Sequence, residues 1–130
     1  MYTADTVRRD LRSIARKKAS VEALKSTREY LLAQIALMRD AGKDTACIEK
    51  RLATAIDATT RCIGETAERD ALYIKCVCAL TPLHRTLILE NYILRVPMWK
   101  VAEKVAYSER RAKEHLKQAI DELVAMLNER

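Results

Sequence analysis

Charged side chains of both signs recur on one face of the C-terminal segment. When each residue is advanced by the roughly 100° of an α-helix, this face lies opposite Ala112 and Leu116 and holds Arg110, Lys113, Glu114 and Lys117. Arginine and lysine donate hydrogen bonds to guanine edges and to phosphates, and glutamate accepts one from the cytosine amino group. The ordinary solvated face of an amphipathic helix has the same pattern, so the periodicity alone leaves both interpretations open.

Two helices and a tight turn must position that face. Pro97 ends the preceding helix, because the residue before a proline is pushed out of helical geometry. The pattern then predicts a short supporting helix over residues 98–105 and a turn ending at Ser108, which caps a last helix over residues 108–128. Ala102 is small enough for two helices to cross there. These are the parts of a helix-turn-helix.

The N-terminal half predicts a long helical hairpin. Apolar residues recur at spacings of three and four along Ala4–Asp40, and Gly42 supplies the left-handed residue with which helices often end. Asp44 is placed to cap a second helix, so residues 4–66 are expected to form two antiparallel, coiled-coil-like helices. Around Gly64 the pattern loosens and allows either a bend or one continuous helix.

The chain is expected to be all-helical, with two parts. It has only two Gly and two Pro in 130 residues, too few for the many tight turns of a β-sandwich. Residues 1–66 are assigned to the hairpin, for oligomerisation or partner binding, and residues 67–130 to the helix-turn-helix domain. Thr81 and Pro82 fit the cap and the first position of a helix at the start of the second part.

The net charge of +6 is compatible with a nucleic-acid partner, but it is spread along the chain. Residues 81–130 hold nine Lys/Arg and seven Asp/Glu, so the helix-turn-helix is only weakly basic. A basic cluster near the N-terminus is offset by Asp10 alone and consists of Arg8, Arg9, Arg12, Arg16, Lys17 and Lys18. It is either a solvated helix face or a second surface for phosphates, each of which adds salt-dependent affinity.

Several classes of protein lack a signature here. No apolar run reaches the roughly 20 residues of a membrane span, and no apolar stretch follows the first basic residues, so a cytoplasmic protein is expected. The four cysteines show no disulfide or metal spacing and are expected to be buried, reduced thiols. Neither a metal-ligand spacing around His84 and His115 nor a phosphate-binding glycine loop is present, so no enzyme, metal or cofactor is expected.

The segment from Leu80 to Leu123 resembles region 4 of bacterial sigma factors. The shared pattern consists of Leu80-Thr81-Pro82, Arg85, Leu87-Ile88-Leu89, Tyr92, Val101-Ala102, Ser108, Ala119 and Leu123. With its long helical N-terminal part, Trp99 and Tyr107-Ser108, the chain is most similar to phage late-gene transcriptional regulators of the ArpU and RinA type. Trp99 is expected to pack beneath the two helices rather than on a base.

The resemblance implies a phage or prophage regulator that reads double-stranded DNA in the major groove with the helix starting at Ser108. The family's base-reading positions correspond to Glu109, Arg110, Lys113 and Glu114, and Arg111 and Lys117 are placed for phosphates. The sequence departs from the family at three positions, which are Ala106 for a usual glycine, Glu109 for an often basic residue, and His115 for an apolar one.

Partners follow from the same pattern. The hydrophobic seam of the hairpin indicates a homodimer, and the sigma-like segment indicates RNA polymerase as a possible partner. Two other functions stay open. One is a small terminase-like DNA-packaging subunit, which also joins a helix-turn-helix to helical assembly elements. The other is a sigma-like module that binds RNA polymerase without DNA.

Overall fold

The computed structural model describes residues 1–129, and over these residues the chain is all-helical, as the sequence predicts. Six α-helices and one π-helical turn follow one another, with no strand among the described residues. They are α1 Ala4–Asp40, α2 Ala46–Gly64, α3 Ala67–Cys78, α4 Pro82–Ile88, the π-helical turn Leu89–Ile93, α5 Met98–Lys104 and α6 Glu109–Asn128.

Helix α1 has the predicted bounds and ends in a Schellman motif. Gly42 has a φ of 71°, and its amide donates to the carbonyl of Arg39 while the amide of Lys43 donates to that of Met38. The predicted cap of α2 is wrong by one residue. Thr45 precedes α2 without a side-chain cap bond, and the Asp44 carboxylate instead accepts from the amide of Ala46 at 3.0 Å.

The chain bends after Gly64 rather than continuing as one helix. Helix α2 ends at Gly64, and α3 begins three residues later at Ala67. Between them Thr66 has a φ of 57°, a left-handed conformation that interrupts helical hydrogen bonding. Of the two possibilities that the sequence left open, the structure has the bend.

The described chain forms two compact units. The terminal unit consists of Met1–Arg16 together with the chain from Glu68 onward, and the middle unit is Lys17–Ala67. The sequence pattern had grouped residues 1–66 together, whereas the first sixteen residues lie with the C-terminal part. Tyr2 and Asn128 illustrate this grouping. The side-chain oxygen of Asn128 accepts from the backbone N–H of Tyr2 at 2.8 Å, and its side-chain NH₂ donates to the carbonyl oxygen of Tyr2 at 3.0 Å.

The core of the terminal unit combines the first turns of α1 with α3 and α6. Its fully buried side chains include Leu11, Tyr73, Ile120 and Leu123. Each large apolar side chain buried in this way stabilises the fold by about 1.5–3 kcal/mol relative to exposure. The unit therefore holds α6 by its inner face, which leaves the other side of α6 for solvent or a partner.

The middle unit buries few side chains and exposes several large apolar ones. Leu31, Ile35, Ala55 and Thr59 are buried. Arg39 pairs with Glu49, which lowers the pKa of that carboxyl, and Lys17 donates to the carbonyl oxygen of Ile63 at 3.1 Å. Large apolar residues exposed on this unit are Tyr30, Leu32, Leu37, Ile56 and Ile63.

The cysteines only partly match the expectation of buried thiols. Cys76 is buried and Cys62 half-buried, but Cys47 and Cys78 are exposed, so the expectation is wrong for those two. All four are free thiols. None of the helices formed by residues 1–129 has the length and apolar character needed to cross a lipid bilayer.

Candidate nucleic-acid interface

Helices α5 and α6 meet through small and branched side chains. Val101 and Ala102 of α5 are buried in one cluster with Leu87 of α4 and Ala112 of α6. Two alanines at this contact let the helix backbones approach closely, and the valine and leucine fill the space beside them. Helix α5 ends at Lys104, one residue before the predicted end, and Val105 is its C-cap.

A Schellman turn with an alanine in the glycine position joins the two helices. The amide of Ala106 donates to the carbonyl of Glu103 at 3.2 Å, and that of Tyr107 donates to Ala102 at 3.0 Å. Ala106 has a φ of 58°, the left-handed region. This conformation costs an L-residue roughly 1–2 kcal/mol, so the turn keeps the usual geometry at some cost in stability.

Ser108 caps α6, as the sequence predicts. Its backbone is extended, with φ −65° and ψ 154°, and its hydroxyl oxygen accepts from the amide of Arg111 at 3.2 Å. Helix α6 then runs over Glu109–Asn128, with Ala112, Leu123 and other apolar residues buried on its inner side. The cap fixes the direction in which the first turn of α6 projects its side chains.

The outer side of α6 carries an exposed charged surface that we call the α6 face. Its residues line one open depression and are Glu109, Arg110, Lys113, Glu114 and Lys117. Two ion pairs run along it, Arg110 to Glu114 at 3.6 Å and Lys113 to Glu109 at 3.2 Å. The five side chains carry three positive and two negative charges, so the α6 face has little net charge.

Arg111 lies apart from the α6 face. Its guanidinium carbon is 5.0 Å from the ring centroid of Tyr107, at cation–π distance. The Tyr107 ring in turn stacks on His115, with centroids 5.3 Å apart and planes 18° from parallel. His115 thus packs its ring against the turn, and its Nδ1 lies 3.4 Å from Nε2 of His84.

The residues of the predicted N-terminal basic cluster have different surroundings. Arg8 pairs with Asp5 at 3.4 Å, Arg9 lies 4.0 Å from Asp10, and Lys18 pairs with Glu22 at 2.9 Å. Lys17 belongs to the middle unit and bonds to backbone carbonyls there. Four of the six residues thus have acidic or carbonyl partners within the chain.

Arg12 and Arg16 line a separate cavity with three residues that the sequence does not indicate as binding residues. These are Asn91 and Tyr92 of the π-helical turn and Arg95 of the loop after it. The only local signal was the position of Arg95, directly before the Val96-Pro97 break. Nothing in the helical periodicity indicates that the start of α1 lies beside this loop.

Trp99 is also placed differently from the prediction. Trp99 is 55% exposed at the start of α5, whereas the sequence predicts that it packs beneath the helices. The buried cluster between α5 and α6 is formed by smaller residues, among them Val101 and Ala112. Among residues 1–129, no group of His, Cys, Asp and Glu side chains is arranged to hold a metal ion.

Comparisons of the chain with protein-family models, with curated proteins and with solved structures found no match. The likeness to sigma region 4 therefore stays a prediction from the residues between Leu80 and Leu123.

Proposed function

We propose that the protein is a sequence-specific DNA-binding transcriptional regulator of phage or prophage origin, and that it reads the major groove with the N-terminal half of α6. The observation that carries the proposal is the start of α6. Ser108 caps it, and the buried contact of α5 with Ala112 holds it in place. It exposes five charged side chains on one face. A capped helix presented by a short supporting helix is the docking unit of helix-turn-helix proteins.

The side chains of the α6 face supply both kinds of base contact. Arg110 is 92% exposed in its side chain and can donate two hydrogen bonds to guanine, and Lys113 can donate to guanine or phosphate. Glu109 and Glu114 can accept from the cytosine amino group. A site rich in G·C pairs would match this set of donors and acceptors.

The ion pairs on the α6 face do not block such contacts. Exposed ion pairs between residues four apart on a helix contribute only about 0.3–0.5 kcal/mol each. Arg110 can therefore leave Glu114, and Lys113 can leave Glu109, to contact base edges at little cost in free energy. The small net charge has another consequence. One copy neutralises few phosphates, so tight binding requires two copies or a second basic surface.

We assign the contact between two copies to the middle unit. Its exposed apolar side chains, among them Leu32, Leu37 and Ile56, support this because a monomer gains no stability from leaving them in water. Light scattering of the full chain tests the assignment. A dimer is expected, whereas a larger ring would favour the terminase-like packaging subunit.

The DNA-binding proposal is tested by selecting from random duplex DNA with the full chain and then footprinting the enriched duplexes. A short enriched sequence with a protected major groove is expected, together with affinity that falls steeply as salt is raised. If the chain enriches no sequence and binds no duplex even at low salt, the proposal is wrong.

The paired charges favour a second candidate, a sigma-like module that binds RNA polymerase without DNA. A surface with alternating signs, such as the Lys113–Glu109 pair, is also suited to a protein partner, and the exposed Trp99 of α5 lies in the same terminal unit. Retention of RNA polymerase on the immobilised chain, with no duplex binding, would favour this candidate over the first.

A further inference from the structure

An open cavity of about 440 Å³ in the terminal unit is lined by three arginines, an asparagine and a tyrosine. We call it the arginine cavity, and its residues are Arg12, Arg16, Asn91, Tyr92 and Arg95. None of the described residues that line it is acidic. Three positive charges around one open space repel one another, and an anion bound among them would offset that repulsion by attracting all three.

The acidic residues nearest in the chain have other partners. Asp10, two positions before Arg12, is buried and accepts a hydrogen bond of 2.6 Å from the hydroxyl of Tyr73. Glu90, next to the cavity residue Asn91, pairs with Lys104 of α5 at 3.1 Å. Among residues 1–129, no carboxylate lies within ion-pair distance of the three cavity arginines, so their charge is available to a ligand.

The cavity is built on two irregular backbone features. The π-helical turn carries Asn91 and Tyr92, and the guanidinium carbon of Arg12 lies 5.8 Å from the centre of the Tyr92 ring. Arg95 has a left-handed φ of 56°, and the Asn91 side chain donates to the carbonyl of Val96 at 3.1 Å, which closes the loop around it. Single π-helical turns and strained non-glycine residues concentrate at functional sites.

We propose that the arginine cavity binds a phosphate group, either in the backbone of a nucleic acid or in a free polyphosphate. A guanidinium is a planar fork that donates two parallel hydrogen bonds to two oxygens of one phosphate. A terminal phosphate of a polyphosphate has three free oxygens, and the successive phosphates of a nucleic-acid backbone have two each, so either ligand offers oxygens to more than one such fork. A single carboxylate has only two oxygens for three arginines. The site is separate from the α6 face and does not depend on the function proposed for that face.

The first arm of the test is calorimetric titration of the full chain with inorganic pyrophosphate at constant ionic strength. The variants are Arg12→Gln, Arg16→Gln and Arg95→Asn, the last because asparagine tolerates the left-handed conformation and keeps the loop folded. The matched control is Arg51→Gln, which removes one exposed positive charge from the middle unit. Each cavity variant is expected to weaken binding by at least about tenfold, since a hydrogen bond to a charged group contributes about 1.5–3 kcal/mol.

The second arm measures binding of a random-sequence duplex DNA by the same proteins. If pyrophosphate binding is lost only in the cavity variants, the site accepts free polyphosphates. If pyrophosphate does not bind but duplex affinity falls in the cavity variants and not in Arg51→Gln, the site holds backbone phosphates. The proposal is overturned if neither ligand is affected more by the cavity variants than by Arg51→Gln. Variants of the α6 face leave pyrophosphate binding unchanged, so failure of one proposal is distinguishable from failure of the other.

Discussion

The phenolic oxygen of Tyr73 donates a hydrogen bond of 2.6 Å to Oδ2 of Asp10, which lies 63 positions earlier in the chain. Both residues are buried, and the Arg69 guanidinium lies 3.6 Å from the other oxygen of the same carboxylate. A buried carboxylate without partners would cost several kcal/mol, so these contacts make its burial tolerable. The bond joins α3 to the first turns of α1 and accounts for the grouping of Met1–Arg16 with the C-terminal part.

Removing the hydroxyl of Tyr73 should therefore destabilise the terminal unit. Tyr73→Phe keeps the ring but leaves the Asp10 carboxylate with one partner fewer, and we expect a loss of about 1.5–3 kcal/mol in the free energy of unfolding. Urea titration followed by circular dichroism measures it. Tyr30→Phe is the control, because the Tyr30 side chain is exposed, and it should change stability by less than about 0.5 kcal/mol. Equal effects of the two variants would contradict this role for the bond.

The same bond gives the protein a dependence on alkaline pH. Burial, and then the hydrogen bond to Asp10, raise the pKa of Tyr73 above its usual value. The unfolded chain releases the Tyr73 proton near pH 10 while the folded chain retains it, so stability falls as pH rises by up to about 1.4 kcal/mol per pH unit. The free energies of unfolding of the wild type and of Tyr73→Phe are measured from about pH 8 to about pH 11. The difference in favour of the wild type should shrink above about pH 10. An advantage that stays constant with pH would contradict the raised pKa.

Local signals in the sequence were sufficient for most helix ends. Gly42 ends α1 and Ser108 caps α6 because a left-handed residue and a side-chain hydroxyl act within a few positions of themselves. The contacts that create the arginine cavity are different, since Arg12 and Arg95 come together only through tertiary packing. The exposure of Trp99 also depends on tertiary packing, since periodicity does not tell which face of a short helix is covered.

Replacing Ser108 should weaken the start of α6 specifically. In Ser108→Ala the amide of Arg111 loses its partner, and we expect a loss of about 1 kcal/mol in stability. Thr81→Ala is a matched control, since Thr81 also stands at a helix start but its side chain makes no cap bond, so its replacement should cost less. Thermal unfolding of both variants tests this difference, and a larger loss of stability in Thr81→Ala would contradict the stabilising role of the Ser108 cap.

Ala106 offers the opposite change, a substitution that should stabilise the turn. Ala106→Gly relieves the left-handed strain of roughly 1–2 kcal/mol but adds backbone entropy to the unfolded chain, for a net gain of about 0.5–1 kcal/mol. Ala33→Gly, at an exposed position within α1, lacks that relief and should destabilise by about 1 kcal/mol. The two variants should shift the midpoint of chemical unfolding in opposite directions. A shift in the same direction would contradict the strain.

The proposed role of the α6 face is tested most directly by reversing its charges. The variant Arg110→Glu/Lys113→Glu is compared with Lys50→Glu/Arg51→Glu, which makes the same change in net charge on exposed residues of the middle unit. Fluorescence anisotropy with a selected duplex measures affinity, and circular dichroism and light scattering check that both variants fold and keep the oligomeric state of the wild type. The α6 variant should bind at least about tenfold more weakly than the control, because base and phosphate contacts of about 1–3 kcal/mol each are lost. Equal affinity of the two variants would contradict DNA reading by α6.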